Sequence, residues 1–86
     1  DYKAIADKQI ALFMEYIRTR LRIPTEQLNT RFFKAVAARS GNTLEDTTTL
    51  FTFMEQIQHQ PAITPEILSK LNKNITTYKQ KTDGKS

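Results

Sequence analysis

The chain has 86 residues, no cysteine and a hydrophobic share of 38%, and its 13 Lys/Arg against 9 Asp/Glu leave a net charge of +4. That length allows one domain, which buries only about 60% of the surface its unfolded chain exposes, so the core is marginal. The lack of cysteine excludes disulfide staples and thiolate metal sites, and no apolar run approaches the roughly 20 residues that cross a bilayer.

Charge is unevenly spread. Residues 1–39 hold eight Lys/Arg and four Asp/Glu, residues 40–69 hold no Lys/Arg and four acids, and residues 70–86 hold five Lys and one Asp. Basic ends therefore flank an acidic middle, and the ends can attract anionic surfaces. No signal-peptide pattern is read at the start. The opening residue is Asp1 rather than Met, which gives the expectation of a piece of a larger protein.

Hydrophobic spacing predicts an all-α fold, a small four-helix bundle. The first helix, over about 3–22, carries Ala6, Ile10, Phe13, Ile17 and Leu21 on one stripe and Ile5, Leu12 and Tyr16 on a second stripe beside it. Together the two exceed the apolar face of an ordinary surface helix, so this helix touches two neighbours or carries an external contact. Pro24 ends it and pushes Ile23 toward extended geometry. Residues 23–29 form a connector anchored by Leu28.

The second helix is predicted over 30–40, with Phe33, Val36 and Ala37 on one face. Gly41 suits the left-handed position that ends a helix. Thr43 then caps a third helix over 43–58, with Asp46 at the acid position of a capping box. Thr47, Leu50, Phe51, Met54 and Ile57 form its inner face, and Phe53 at the stripe's edge is read as an exposed contact residue. Its threonines at 47, 48, 49 and 52 are poor helix formers, so this helix relies on packing. Thr64 and Pro65 restart the pattern as cap and first helical residue. The fourth helix follows over about 65–79, lined by Ile67, Leu68, Leu71, Ile75 and Tyr78. The domain is predicted to span 1–80, with a flexible tail over 81–86.

No constellation for catalysis is legible. His59 is the single histidine and has no partner for a metal site or a triad. The acids Glu45 and Asp46 suit the positive end of a helix dipole, and Gly41 and Gly84 are too far apart for a phosphate loop. The reading is therefore non-enzymatic, with no cofactor, metal or small-molecule substrate.

The Ala37–Gly41 spacing followed by a capped helix is that of a helix-turn-helix, whose second helix enters the major groove. Here that helix has no Arg or Lys and leads with Glu45 and Asp46, whereas DNA affinity rests largely on cations at phosphates. The same hairpin, through Phe33, Ala37, Arg39-Ser40-Gly41, Glu45-Asp46 and Phe53, resembles the opening helices of the HU/IHF histone-like proteins. That family binds DNA with a following β-ribbon arm, which this sequence lacks.

A second resemblance spans nearly the whole chain. The segment Phe13-Met14-Glu15-Tyr16-Ile17-Arg18-Thr19-Arg20, the Ser40-Gly41 turn, and Leu71-Asn72-Lys73 with Ile75 and Tyr78 resemble the C-terminal cytosolic tail of a bacterial membrane-protein family. That family carries a domain of unknown function, and its genes often neighbour MoxR-type ATPases. The resemblance implies a cytoplasmic placement at the inner membrane, with any anchor in a segment outside this chain. Arg18, Arg20 and Arg22 agree with the positive-inside tendency.

These observations converge on a cytosolic helical interaction or scaffold domain that docks another protein or itself, through Ile5, Leu12, Tyr16 and Phe53. The alternative is a weak, non-specific nucleic-acid-binding module that uses Arg18, Arg22, Arg31, Lys34 and Arg39.

Overall fold

The computed structural model describes residues 1–84. Four helices follow one another, α1 (Tyr2–Thr19), α2 (Thr30–Ser40), α3 (Leu44–Gln58) and α4 (Pro65–Asp83), and the described residues contain no strand. They pack into a body of 35 × 26 × 22 Å, with α1 lying chiefly on α4 and α2 on α3.

Each helix starts on a side chain that satisfies an otherwise orphaned N–H. Asp1 accepts from Lys3 N and Ala4 N, Asn29 from Phe32 N, Thr43 from Asp46 N, and Thr64 from Ile67 N. The predicted capping box forms only by half. Thr43 accepts from Asp46 N at 3.0 Å, while the Asp46 carboxylate turns to Lys81, 3.6 Å away. The shortened Asp side chain makes an ion pair to α4 in place of a reciprocal bond to Thr43 N–H. At the other end of α2, Gly41 takes the left-handed conformation (φ 77°) and Asn42 N–H reaches back to the Ala37 carbonyl at 3.2 Å, closing the helix as a glycine C-cap does.

Two helix ends depart from the sequence reading. α1 stops at Thr19, short of the expected 22. Beyond it the Leu21 and Ile23 N–H groups turn back to the Tyr16 and Ile17 carbonyls at 3.4 and 3.2 Å, and Arg22 adopts φ 58°. This wide turn swings Leu21 and Ile23 into the core, each 5% exposed, while Leu28, the expected anchor, is 50% exposed. Conversely, α4 continues past 79 to Asp83, so residues 81–83 of the expected tail are helical. The cause is Thr82, whose buried hydroxyl donates to the Ser40 carbonyl at 2.9 Å. Residues 85 and 86 of that tail lie outside the described residues.

The core is organised around Phe13. Its ring stacks on Tyr16 at 6.1 Å, meets Tyr78 edge-on at 5.8 Å and lies 6.1 Å from Phe51. Phe51 in turn meets Phe32 and Phe33 at 5.5 and 5.2 Å. Such ring pairs add about 0.5–1.5 kcal/mol each beyond their burial. On α2 it is Phe32 that is buried, with Val36, Ala37 and Ser40, while Phe33 is half-buried. The inner faces predicted for α1 and α3 are fully buried. On α4 Leu71, Ile75 and Tyr78 are buried, and Ile67 and Leu68 are partly so.

A polar cluster closes one side of this core. Ser40 Oγ donates to Tyr78 Oη at 3.0 Å, Tyr78 Oη and Thr47 Oγ1 lie 2.6 Å apart, and Thr47 Oγ1 donates to the Thr43 carbonyl at 2.8 Å. With Tyr78 as donor to Thr47, every proton in this row has an acceptor, as buried hydroxyls require. Asn42 completes it by donating to the Tyr78 carbonyl and to Ser40 Oγ, both at 3.1 Å.

Burial raises the Tyr78 hydroxyl above its ordinary value of 10.0, with the bonds to Ser40 and Thr47 opposing part of that rise. The unfolded chain therefore loses this proton first as the solution becomes alkaline. The stability it carries is complete below about pH 10 and is lost as pH climbs through the folded-state value. Tyr78→Phe is expected to lower stability by about 1–2 kcal/mol at neutral pH. It should also remove the alkaline loss, measured by urea unfolding from pH 8 to 11.

Candidate functional site

The described residues hold no group of three or more His, Cys, Asp or Glu placed to share a metal ion. His59 sits exposed at the C-cap of α3. The surface nevertheless has two places where the fold brings together exposed apolar or basic side chains.

The first is the outer stripe of α1. With Ala6, Ile10, Phe13 and Ile17 turned wholly inward, the neighbouring face presents Tyr2, Ile5 and Leu12, which are 49%, 46% and 55% exposed. Gln9 and Tyr16 complete it, both half-buried. Positions 2, 5, 9, 12 and 16 alternate in steps of three and four, the repeat by which one helix seats against another. Tyr16 stacks on Phe13, and the Lys79 ammonium lies 4.6 Å from its ring centre. Two polar atoms on the stripe, Gln9 Oε1 and Tyr16 Oη, are buried without a hydrogen-bond partner. A shallow groove of about 330 Å³ runs beside it, between Gln9 and Leu12 on α1 and Asn72, Ile75 and Lys79 on α4.

Three of the four contact residues expected from sequence, Ile5, Leu12 and Tyr16, thus share one surface. Phe53 does not join them. It is half-buried in the groove between α3 and α4, with the Lys70 ammonium 5.0 Å from its ring centre. Tyr2 and Gln9 belong to the stripe and were missed from sequence. The three-four spacing would have found them, but Gln9 is polar and interrupts the apolar signal.

The second place is a groove of about 410 Å³ between the α1–α2 connector and α2. Of the five cations considered for nucleic acid, Arg22, Arg31 and Arg39 line it, whereas Arg18 and Lys34 do not. Arg18 donates instead to Thr25 Oγ1 at 2.9 Å, and Lys34 is exposed on α2. Arg39 Nη1 donates to the Leu21 and Arg22 carbonyls at 2.9 and 3.0 Å, tying the end of α1 to α2. α3, the recognition helix of a helix-turn-helix reading, exposes Glu45 and Asp46 in its first turn and has no basic residue in its last.

A short chain of four amphipathic helices around an aromatic core defines a small all-α domain. The model of the family described as the DUF4350 C-terminal helical domain matches residues 1–82, and the chain belongs to that family. Neither a curated protein nor a solved structure matches. No helix among the described residues is long and apolar enough to cross a membrane.

Arg22 is the one described non-glycine residue with positive φ, a conformation that strains an L side chain. Arg22→Gly keeps the carbonyl that accepts from Arg39. It is expected to raise stability by up to about 1 kcal/mol, read as a higher denaturant midpoint with an unchanged slope.

Proposed function

We propose that this domain is a non-enzymatic docking module that pairs with a second copy of itself through the outer stripe of α1. The observation that carries the reading is the exposure of Tyr2, Ile5 and Leu12 on a helix whose inner stripe is already fully buried. Single exposed apolar residues are ordinary, but a row at helix-packing spacing marks a contact surface.

Charge selects the occupant and the direction. Lys8 and Glu15 are exposed and lie seven residues apart along the same flank of the stripe. In an antiparallel pair, Lys8 of one copy meets Glu15 of the other, twice, by symmetry. In a parallel pair the flank opposite holds Ala6 and Phe13, which are buried in the core and offer no countercharge. These exposed ion pairs fix orientation more than affinity. Gln9 and Leu12 then flank the two-fold axis, where the self-complementary Gln9 amide can pair with its counterpart after turning about its terminal torsion. A polar residue in such a seam sets register at some cost in stability.

The stripe is short. Specific interfaces bury about 800 Å² on each partner, so the adjoining groove against α4 must contribute, and the pair is expected to be weak. The proposal places the domain in a longer bacterial membrane protein, on its cytosolic side. The likeness of Phe13–Arg20 and of the Leu71–Tyr78 helix to such tails supports that placement.

Light scattering from about 1 μM to 1 mM should show the mass rise from monomer toward dimer. Leu12→Asp should hold it at monomer without changing the melting temperature, since Leu12 is more than half exposed. Lys8→Glu should weaken the pair, and adding Glu15→Lys should restore it. A mass that Leu12→Asp leaves unchanged, or a monomer at every concentration, would refute the pairing. Tyr16 is a poorer probe, because it also packs on Phe13.

A further inference from the structure

The three arginines around the second groove have no structural account that uses all of them. We infer that this groove binds an acidic peptide segment of a partner protein, its carboxylates on Arg22, Arg31 and Arg39 and an apolar side chain on the groove floor. The inference is independent of pairing through α1.

Charge is the first ground. Three guanidinium groups share the groove with one carboxylate, Glu26. Among the described residues the ion pairs are Lys3 with Asp7 and Lys81 with Asp46, so none of the three arginines is neutralised by an acid. Arg31 stands in the first turn of α2, which contains no acid. A cation there opposes the positive end of the helix dipole, a small unfavourable contact at an exposed site that a bound anion offsets.

Preorganisation is the second ground. Arg39 is held by two backbone carbonyls through Nη1 alone. Its Nη2 and Nε protons remain, and a guanidinium edge of that kind matches a carboxylate in a two-point contact. Fixing the carbonyls of Leu21 and Arg22 explains Nη1. It explains neither Arg22, whose side chain leaves a left-handed turn, nor Arg31.

The floor distinguishes a peptide from a nucleic acid. Ile23, Pro24, Phe32 and Ala35 line the groove between the arginines. Phe32 is only 5% exposed and its ring is engaged by Phe33 and Phe51. No ring is therefore free there to stack on a base, the usual means of holding single strands. The groove itself holds three arginines and one acid, Glu26, whereas a phosphate backbone asks for a longer basic track. A leucine-sized side chain over Pro24 and Ala35, with acids on either side, fits this chemistry.

The test titrates the full chain with the acetylated, amidated pentapeptide Glu-Asp-Leu-Asp-Glu at low ionic strength, read by calorimetry and by NMR of the arginine Nε–H signals. The comparison probes are the same peptide with every acid replaced by its amide, and a 12-nucleotide single strand. The acidic peptide should bind and shift the Nε–H signals of Arg22, Arg31 and Arg39. The amide peptide should not bind. Arg22→Gly and Arg31→Ala, each checked for an unchanged or higher melting temperature, should each weaken binding about tenfold. Leu12→Asp should leave it unchanged. Absence of binding at low salt, binding indifferent to both arginine variants, or tighter binding of the oligonucleotide through the same arginines would overturn the proposal.

Discussion

Tyr78 joins the last helix to the rest of the molecule by two means. Its ring meets Phe13 edge-on in the apolar core, and its hydroxyl stands between Ser40 at the end of α2 and Thr47 in the first turn of α3. The α2–α3 turn brings these two hydroxyls together because Gly41 reverses the chain in the left-handed conformation and Thr43 at once caps the next helix. Asn42, inside that turn, adds a bond to the Tyr78 backbone. In a chain this small the core alone supplies only a few kcal/mol. A buried polar row whose protons all find acceptors then decides how α4 docks, because any other register would strand hydroxyls in an apolar interior.

The same logic explains why α4 outlasts its apolar pattern. After Tyr78 the sequence reads as a polar run, and periodicity gives no reason for the helix to continue. Thr82 lies one turn further along the same face and returns a hydrogen bond to the Ser40 carbonyl, while Lys81 reaches Asp46. Both contacts tie α4 to the ends of α2 and α3 rather than to the middle of the bundle. The clamp therefore spans more than 30 positions of sequence, from Ser40 to Tyr78 and Thr82, and only the closed fold creates it.

Much of the architecture was legible because it rests on local rules. The caps at Thr43 and Thr64, the glycine stop at Gly41 and the inner faces of α1 and α3 follow from spacing and capping chemistry that act within a few residues. The misreadings have a shared cause in tertiary contact. Phe32 and Phe33 are adjacent, and nothing local says which one meets Phe51. Leu21 and Ile23 rather than Leu28 anchor the connector because the chain unwinds after Thr19, a choice made by burial and not by Pro24 alone. The surfaces were half legible. Apolar residues on the flank of α1 stood out, yet Gln9 hid the regularity of the row. The meeting of Arg22, Arg31 and Arg39 needed the connector's path, since Arg31 lies nine positions after Arg22 and eight before Arg39.

The two kinds of buried polar atom in this protein can be set against each other. Around Tyr78 each hydroxyl has a partner, and the cluster lies between helices of one chain. On α1, Tyr16 Oη and Gln9 Oε1 have none, and each such atom costs about 1–3 kcal/mol to hide. For folding alone, Phe would stack on Phe13 as well as Tyr16 does, and Leu would fill the place of Gln9 without an orphaned carbonyl. Both residues fall on the single helix face that combines exposed apolar side chains with helix-packing spacing, and not at scattered positions. Because neither atom is exposed, a helix seated on the stripe reaches them only if the Gln9 amide and the Tyr16 side chain turn outward, which is what the proposed pairing requires of this face.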